Sequence, residues 1–448
     1  MRWLSKLTAL ALTLTLIVPP APAQPGPRKL ALLVGINEYA DPGMNLRGAE
    51  NDVELMFELL TRKYGFAPAD IVVLKNEKAT RRGILDAFER HLIAQAQPGD
   101  VVVFHYSGHG SRVKDTDGDE PDGFDETIVA HDSTDADGPT RDISDDTFNL
   151  LLRTLKTERV TVTFDSCFSG TGVRGNGQIG RTIPPNPNRR AAADEVSVNR
   201  RLEKLVGVIP GKGEGKRQPF SRDFKGVFVS ATQFNQRAAD SDFGESFYGN
   251  FTYHLTRALW QAGSDTSYRT ILSRIENPIA VTARHDEGQS PALEVSSPGL
   301  EAQPFFFLPP AAPAAAVVTA VRGEEAELWL GGLGGAASEG TTLVAVDGQG
   351  RPVARLQLTR TGENLFRGVA KRLEGTLSPG ITLQEANYLQ RTSPVLRVAV
   401  ASADLATART AIDTRWLSWV EMGRSADLVL ERTASGYRLA YPAGEVLP

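Results

Sequence analysis

A chain of 448 residues, 41% hydrophobic and 23% charged, has the composition of a folded protein of two or three domains and excludes wholesale disorder. Its formal charge is −5, and a mildly acidic balance argues against nucleic acid as the main partner. The single cysteine excludes an internal disulfide, so stability must come from a hydrophobic core.

At the N-terminus, Arg2 and Lys6 precede an apolar run from Leu7 to Val18, followed by Pro19-Pro20-Ala21-Pro22-Ala23-Gln24. This is the pattern of a secretory signal peptide over residues 1–23, with an A-x-A-like cleavage site after Ala23. The apolar run is short for a membrane span, and no cysteine follows it to accept a lipid. The expected mature chain starts at Gln24, is secreted or periplasmic, and has no membrane span.

From residue 24 to residue 308, short apolar runs alternate with amphipathic segments, which predicts βαβ units and a mostly parallel sheet. Leu30 to Val34 reads as the first strand. Val53, Met56, Phe57, Leu59 and Leu60 lie at helical spacing within Leu46 to Lys63, and Ile71 to Leu74 is the next strand. Thr80 is placed to cap a helix through Ile84, Phe88 and Leu92. Val101 to Tyr106 is a third strand. After an acidic loop, Ser144 caps a helix through Leu152, and Arg159 to Phe164 is a fourth strand. Gly226 to Ala231 is a fifth, and Phe251 to Trp260 and Thr270 to Ile275 read as helices.

Between them, residues 170–225 are rich in Gly, Pro and Arg and show little periodicity, the pattern of a long basic loop. Arg189-Arg190, Arg200-Arg201 and Lys216-Arg217 within it are candidate processing sites. Residues 309–317 are a Pro/Ala linker. Beyond it, Ala326 to Leu330, Thr341 to Val346, Val353 to Leu358 and Leu396 to Val400 alternate or run apolar between Gly-rich turns, so residues 318–448 are expected to form a β-rich accessory domain.

The chemistry lies at two strand ends. The run Val101-Val102-Val103-Phe104 leads into His105-Tyr106-Ser107-Gly108-His109-Gly110, and Thr161-Val162-Thr163-Phe164 leads into Asp165-Ser166-Cys167-Phe168-Ser169-Gly170. In open α/β sheets, ligands bind beyond the carboxyl ends of the strands. An imidazole near a thiol favours the thiolate and can protonate a leaving amine, so His109 and Cys167 point to acyl transfer through a thioester. The backbone N–H groups of Gly110 and Cys167 are candidate oxyanion donors.

These two motifs resemble those of the metacaspases, caspase-like cysteine peptidases of family C14, clan CD. Leu32-Leu33-Val34-Gly35-Ile36-Asn37-Glu38-Tyr39, Gly48-Ala49-Glu50-Asn51-Asp52-Val53, Asp122-Gly123-Phe124-Asp125-Glu126-Thr127-Ile128 and Val229-Ser230-Ala231 add matches in family order. The resemblance covers Arg28 to Leu308 and no part of the tail. It implies an α/β, caspase-like three-layer sandwich with a mostly parallel six-stranded sheet. It also implies His109 as general acid/base and Cys167 as nucleophile. Cleavage after Arg or Lys is implied in turn, with an acidic S1 pocket on Asp52, Ser107 and Asp165. Two carboxylates suit a guanidinium and would repel an acidic side chain.

The resemblance further implies calcium on Asp125, Asp145 and Asp146, with Arg174 standing where the family has a fourth ligand. Asp115, Asp117, Asp119 and Glu126 also have EF-hand spacing, but Glu120 occupies the position that needs glycine. His105, His109 and His131 do not suggest zinc, because Gly108 and Gly110 disfavour the helix that an i, i+4 histidine pair requires. The expected partners are protein or peptide substrates with Arg or Lys at P1, cut by an enzyme that processes itself in the basic loop. The alternative is a catalytically silent caspase-like scaffold of the cell envelope.

Overall fold

The computed structural model describes residues 26–440 apart from 116–117, 119, 121, 168–173, 176–177, 184–185, 208–223, 234–235, 244–245, 264–265, 284–287, 363, 387–395, 401–416, 422–427 and 434–435. The expected signal peptide therefore lies outside the described residues.

In chain order the first unit contains β1 (Lys29–Gly35), α1 (Ala49–Arg62), β2 (Ile71–Lys75), α2 (Arg81–Ala87), β3 (Val101–Ser107), β4 (Gly110–Lys114), β5 (Phe124–Ile128), α3 (Asp145–Thr154) and β6 (Val160–Asp165). It continues with β7 (Gln178–Gly180), α4 (Glu195–Val206), β8 (Val227–Ser230), β9 (Ala239–Asp242), β10 (Phe247–Gly249), α5 (Asn250–Trp260), α6 (Tyr268–Ala283) and β11 (Ala292–Val295). The central sheet has six strands in the order β11-β8-β6-β3-β1-β2, parallel except for β11.

The central strands are buried on both faces, which is why they read as continuous apolar runs rather than alternations. Along β1, Ala31 and Leu33 join a core with Met56, Leu59, Phe251 and Ile271, from α1, α5 and α6. Leu30, Leu32 and Val34 face the opposite core with Ile84, Phe148 and Leu202, from α2, α3 and α4. A three-layer sandwich follows from this two-sided burial. Local signals operate as expected at two helix starts. The Thr80 side chain accepts from Gly83 N–H, and that of Ser144 accepts from Thr147 N–H.

The basic loop is more structured than its composition predicts. It contains β7 and α4, whose Glu195, Val198 and Leu202 are buried at helical spacing. The abundance of Arg hides this period. Arg189 is fully buried and paired with Asp142 at 2.7 Å, while Arg200-Arg201 sits within α4. Arg189-Arg190 is a short strand, and Arg200-Arg201 is helical. Lys216-Arg217 lies outside the described residues.

The tail divides into two β units rather than one. Six strands between Ala316 and Glu385 close into a barrel, and Leu396–Val400, Leu417–Glu421, Leu428–Thr433 and Gly436–Ala440 form a separate four-stranded sheet. In the barrel strand Pro352–Thr361, Ala354, Leu356 and Leu358 point inward between exposed residues. Closure removes the unpaired edges of a sheet.

The barrel is fastened to the first unit. Phe366 packs edge-on against Tyr248 and Tyr253, and the Tyr248 hydroxyl donates to Asn364 Oδ1 at 3.0 Å. The linker is held rather than free, because the buried Lys63 ammonium donates to the carbonyls of Trp260, Ala262 and Ala312. Among the described residues, no helix is long and apolar enough to cross a membrane.

Candidate active site

The β3–β6 register sets the site. Ser107 pairs with Asp165 in parallel, so His109 and Cys167 each lie two residues beyond adjacent strand ends. Parallel neighbours are about 4.8 Å apart, which brings the two turns side by side. Gly108 is required in its turn, since a Cβ there would meet the Tyr106 hydroxyl at 2.5 Å.

The His109 ring is fixed by its surroundings. Its Nε2 lies 2.7 Å from the Met44 carbonyl, and Tyr39 packs over it with ring centroids 5.1 Å apart. Its backbone N–H donates to the Tyr39 hydroxyl, and its carbonyl accepts from the Tyr106 hydroxyl. A carbonyl accepts only, so Nε2 carries the proton and Nδ1 is the basic nitrogen of the neutral ring.

Asp52, Ser107 and Asp165 lie around one point, and all three are fully buried. Ser107 Oγ donates to Asp52 Oδ2 at 2.6 Å. Asp52 also accepts from Gly249 N–H, and Asp165 Oδ2 accepts from both the N–H and the hydroxyl of Thr252, in the first turn of α5. A negative group there also meets the positive end of that helix. The sequence reading missed a third carboxylate, Asp240 on β9, which accepts from Arg47 N–H. No motif marks it.

The group these acids surround is Arg181, also absent from the sequence expectations. Its guanidinium is fully buried and contacts Asp52 at 2.8 Å, Asp240 at 2.9 Å, Asp165 at 3.3 Å and the Ser107 hydroxyl at 2.6 Å. Its carbonyl accepts from Gly110 N–H at 3.0 Å and from Cys167 N–H at 3.1 Å, the two expected oxyanion donors. Gly249 is required where the pocket closes, because a Cβ there would meet Asp165 and the Arg181 guanidinium.

Burial pushes the Asp52 carboxyl up to about 7 from 3.8, against the opposing pull of Arg181. The native protein therefore holds a proton that the unfolded chain releases near 3.8. This contribution to stability is present below about pH 4, falls as pH rises through about 7, and is flat above. Urea denaturation of wild type and Asp52→Asn across that range is expected to show a shallower decline in the variant.

Cys167 is fully buried, with its Sγ against the Ala238 backbone, and burial pushes the thiol up to about 12. At about pH 8 only about one thiol in ten thousand would ionise. Iodoacetamide is expected to label the folded, uncut chain far more slowly than the denatured chain, as intact mass would show.

The expected calcium residues are partly gathered. Among the described residues, Glu120, Glu126 and Asp145 form the one group of three possible metal ligands, their oxygens within 4.8 Å of one another. Burial raises Glu126 to about 7, and burial, then Asp146, Glu126, Asp125 and Glu120, raise Asp145 well above its usual value. Asp125 and Asp146 thus act on Asp145, while Glu120 and Glu126 take the nearest positions. The Arg174 side chain is outside the described set. His105 bonds to Thr163 and His131 to the Glu38 carbonyl.

Residues 29–174 match the family model of the metacaspase peptidase C14 domain. Metacaspase-1 of Schizosaccharomyces pombe is 44% identical over 152 residues, 32% of this chain and 34% of that protein. Metacaspase-1B of Aspergillus fumigatus is 35% identical over 225 residues, 48% of this chain and 50% of that protein. A crystal structure of a protein from Geobacter sulfurreducens is 28% identical with a TM-score of 0.43, covering 63% of this chain and 99% of that one. The chain spans half or less of the length of these two curated relatives. The likeness to the metacaspase peptidase C14 domain thus spans β1 to β6 and both strand-end motifs.

Proposed function

We propose that this chain is a cysteine endopeptidase that hydrolyses peptide bonds after Arg or Lys, with Cys167 as nucleophile and His109 as acid/base. One observation carries the reading. A guanidinium is held by the Asp52, Asp165 and Asp240 carboxylates and Ser107, while the carbonyl of the same residue accepts from Gly110 and Cys167 N–H. A substrate arginine needs these contacts, since the carboxylates select the cation and the amides stabilise the oxyanion of the tetrahedral intermediate. The Nε2 bond to Met44 keeps the ring in the tautomer whose Nδ1 accepts the thiol proton and later gives it to the leaving amine.

Calcium is part of the proposal. The donor set of Glu120, Glu126 and Asp145 fits a hard cation, because buried carboxylates that raise one another's affinity for protons are relieved by positive charge. When bound, the ion would supply that compensation. These residues would hold it beside the β4–β5 hairpin, which begins one residue after His109. Residues 1–23 support export, which N-terminal sequencing of protein recovered outside the cytoplasm would test. Self-processing within residues 170–225 completes the reading.

Matched fluorogenic peptides ending in Arg, Lys or Asp test the activity. Arg and Lys peptides are expected to be cut and the Asp peptide ignored, with a fall in rate when a chelator removes calcium. Failure to cut any of them, before and after limited trypsin nicking, would leave the caspase-like scaffold as the reading.

A further inference from the structure

The residues on both sides of Arg181 lie in the cleft as an extended strand. On its N-terminal side, Ile179 and Gly180 of β7 pair antiparallel with Asp240 and Ala239 of β9. Arg181 N–H donates to the Ala238 carbonyl at 3.1 Å. On its C-terminal side, Ile183 N–H donates to the Gly110 carbonyl at 3.0 Å. Main-chain bonds therefore hold the strand on both sides, and Arg181 alone is gripped by charge. At Gly180 a Cβ would meet nothing within 4 Å, so packing does not dictate the neighbouring residue. A merely structural ion pair would need the guanidinium in the pocket. It would not need the same residue's carbonyl between the amides of Gly110 and Cys167.

We propose that residues 178–183 are bound as the chain's own substrate, plugging the cleft, and that Arg181–Thr182 is the bond cut to open it. The proposal rests on the peptidase reading above. In the first step His109 takes the Cys167 proton, the Sγ–C bond to Arg181 forms, and the C–N bond to Thr182 breaks as His109 protonates the new Thr182 amine. In the second, water adds to the thioester and gives one proton to His109, the S–C bond breaks, His109 returns that proton to sulfur, and the new Arg181 carboxylic acid releases its remaining proton to solvent and leaves as a carboxylate. Water is the only co-reactant. The expected sites at Arg189-Arg190 and Arg200-Arg201 are replaced by this one.

The test uses the full chain as wild type, Cys167→Ala, Arg181→Gln and Thr182→Pro, incubated with calcium and followed by intact mass, N-terminal sequencing and hydrolysis of an Arg-ended peptide. Proline at 182 should block cutting while removing none of the backbone bonds described, and it keeps Arg181 in the pocket, so it remains informative if Arg181→Gln fails to fold. Wild type is expected to yield a new N-terminus at Thr182-Ile183, absent from all three variants. Thr182→Pro is expected to cut the external peptide at least about 10-fold more slowly than wild type, because its competent state is rarely populated. Wild type that cuts the peptide but stays whole, or is cut only after Arg190, Arg201 or Arg217, would overturn the inference and leave the peptidase reading standing. Full peptide hydrolysis by an uncut Thr182→Pro would overturn the plug. Loss of both peptide hydrolysis and self-cutting in wild type would sink the two readings together.

Discussion

Replacing Cys167 with alanine is expected to reduce hydrolysis of Arg and Lys peptides to background, a fall of about 10⁴-fold or more. The nucleophile is the step that the oxyanion donors and the pocket cannot replace. The fold should survive, because Cys167 loses only its Sγ contact with the Ala238 backbone and its N–H still donates to the Arg181 carbonyl. A variant that denatures at the same urea concentration as wild type yet cuts nothing would assign the loss to chemistry. A variant that retains full activity would remove Cys167 from the mechanism. Replacing His109 with alanine is a weaker test, since its backbone and ring also tie together Met44, Tyr39 and Tyr106.

Replacing Asp165 with alanine is expected to have the largest effect on the folded protein itself. The change removes one of three carboxylates around a fully buried guanidinium and leaves the Thr252 N–H and hydroxyl without their acceptor at the start of α5. Breaking a buried ion pair by deleting one partner costs about 3–5 kcal/mol. Asp165→Asn keeps the shape and an acceptor, so it separates the two roles. Its stability is expected to lie between those of wild type and the alanine variant, with the preference for Arg over an uncharged P1 residue sharply reduced. Equal preference in wild type and Asp165→Asn would show that Asp52 and Asp240 alone set the specificity.

The central sheet was legible because parallel strands buried on both faces read as unbroken apolar runs, as in Val101 to Phe104. Thr80 and Ser144 announced their helices because capping is decided within one turn of chain. Helix α4 was missed because its buried face of Glu195, Val198 and Leu202 contains a charged residue and lies in an Arg-rich stretch. The two β units of the tail read as one, since alternation reports strands and not which strands pair. In the carboxylate cluster, the sequence named Asp145 and two of its electrostatic neighbours. The closest oxygens belong to Glu120 and Glu126, and Glu126 is brought to Asp145 by the antiparallel pairing of Thr127 with Ser144.

The sequence by itself determined the two strand-end motifs and hence the positions of the thiol, the imidazole and Asp165, because each lies at the end of a strand whose structure is local, while Asp52 on α1 was named only by the resemblance. Tertiary structure alone decided what fills that pocket. Asp240 and Arg181 come from stretches without motif or period, 188 and 129 residues from Asp52 along the chain, counted from their numbers. They meet because β7 pairs with β9 and lays Arg181 across the ends of β3 and β6. A cation in water is indifferent to distant carboxylates, but buried among three of them it has one place to go.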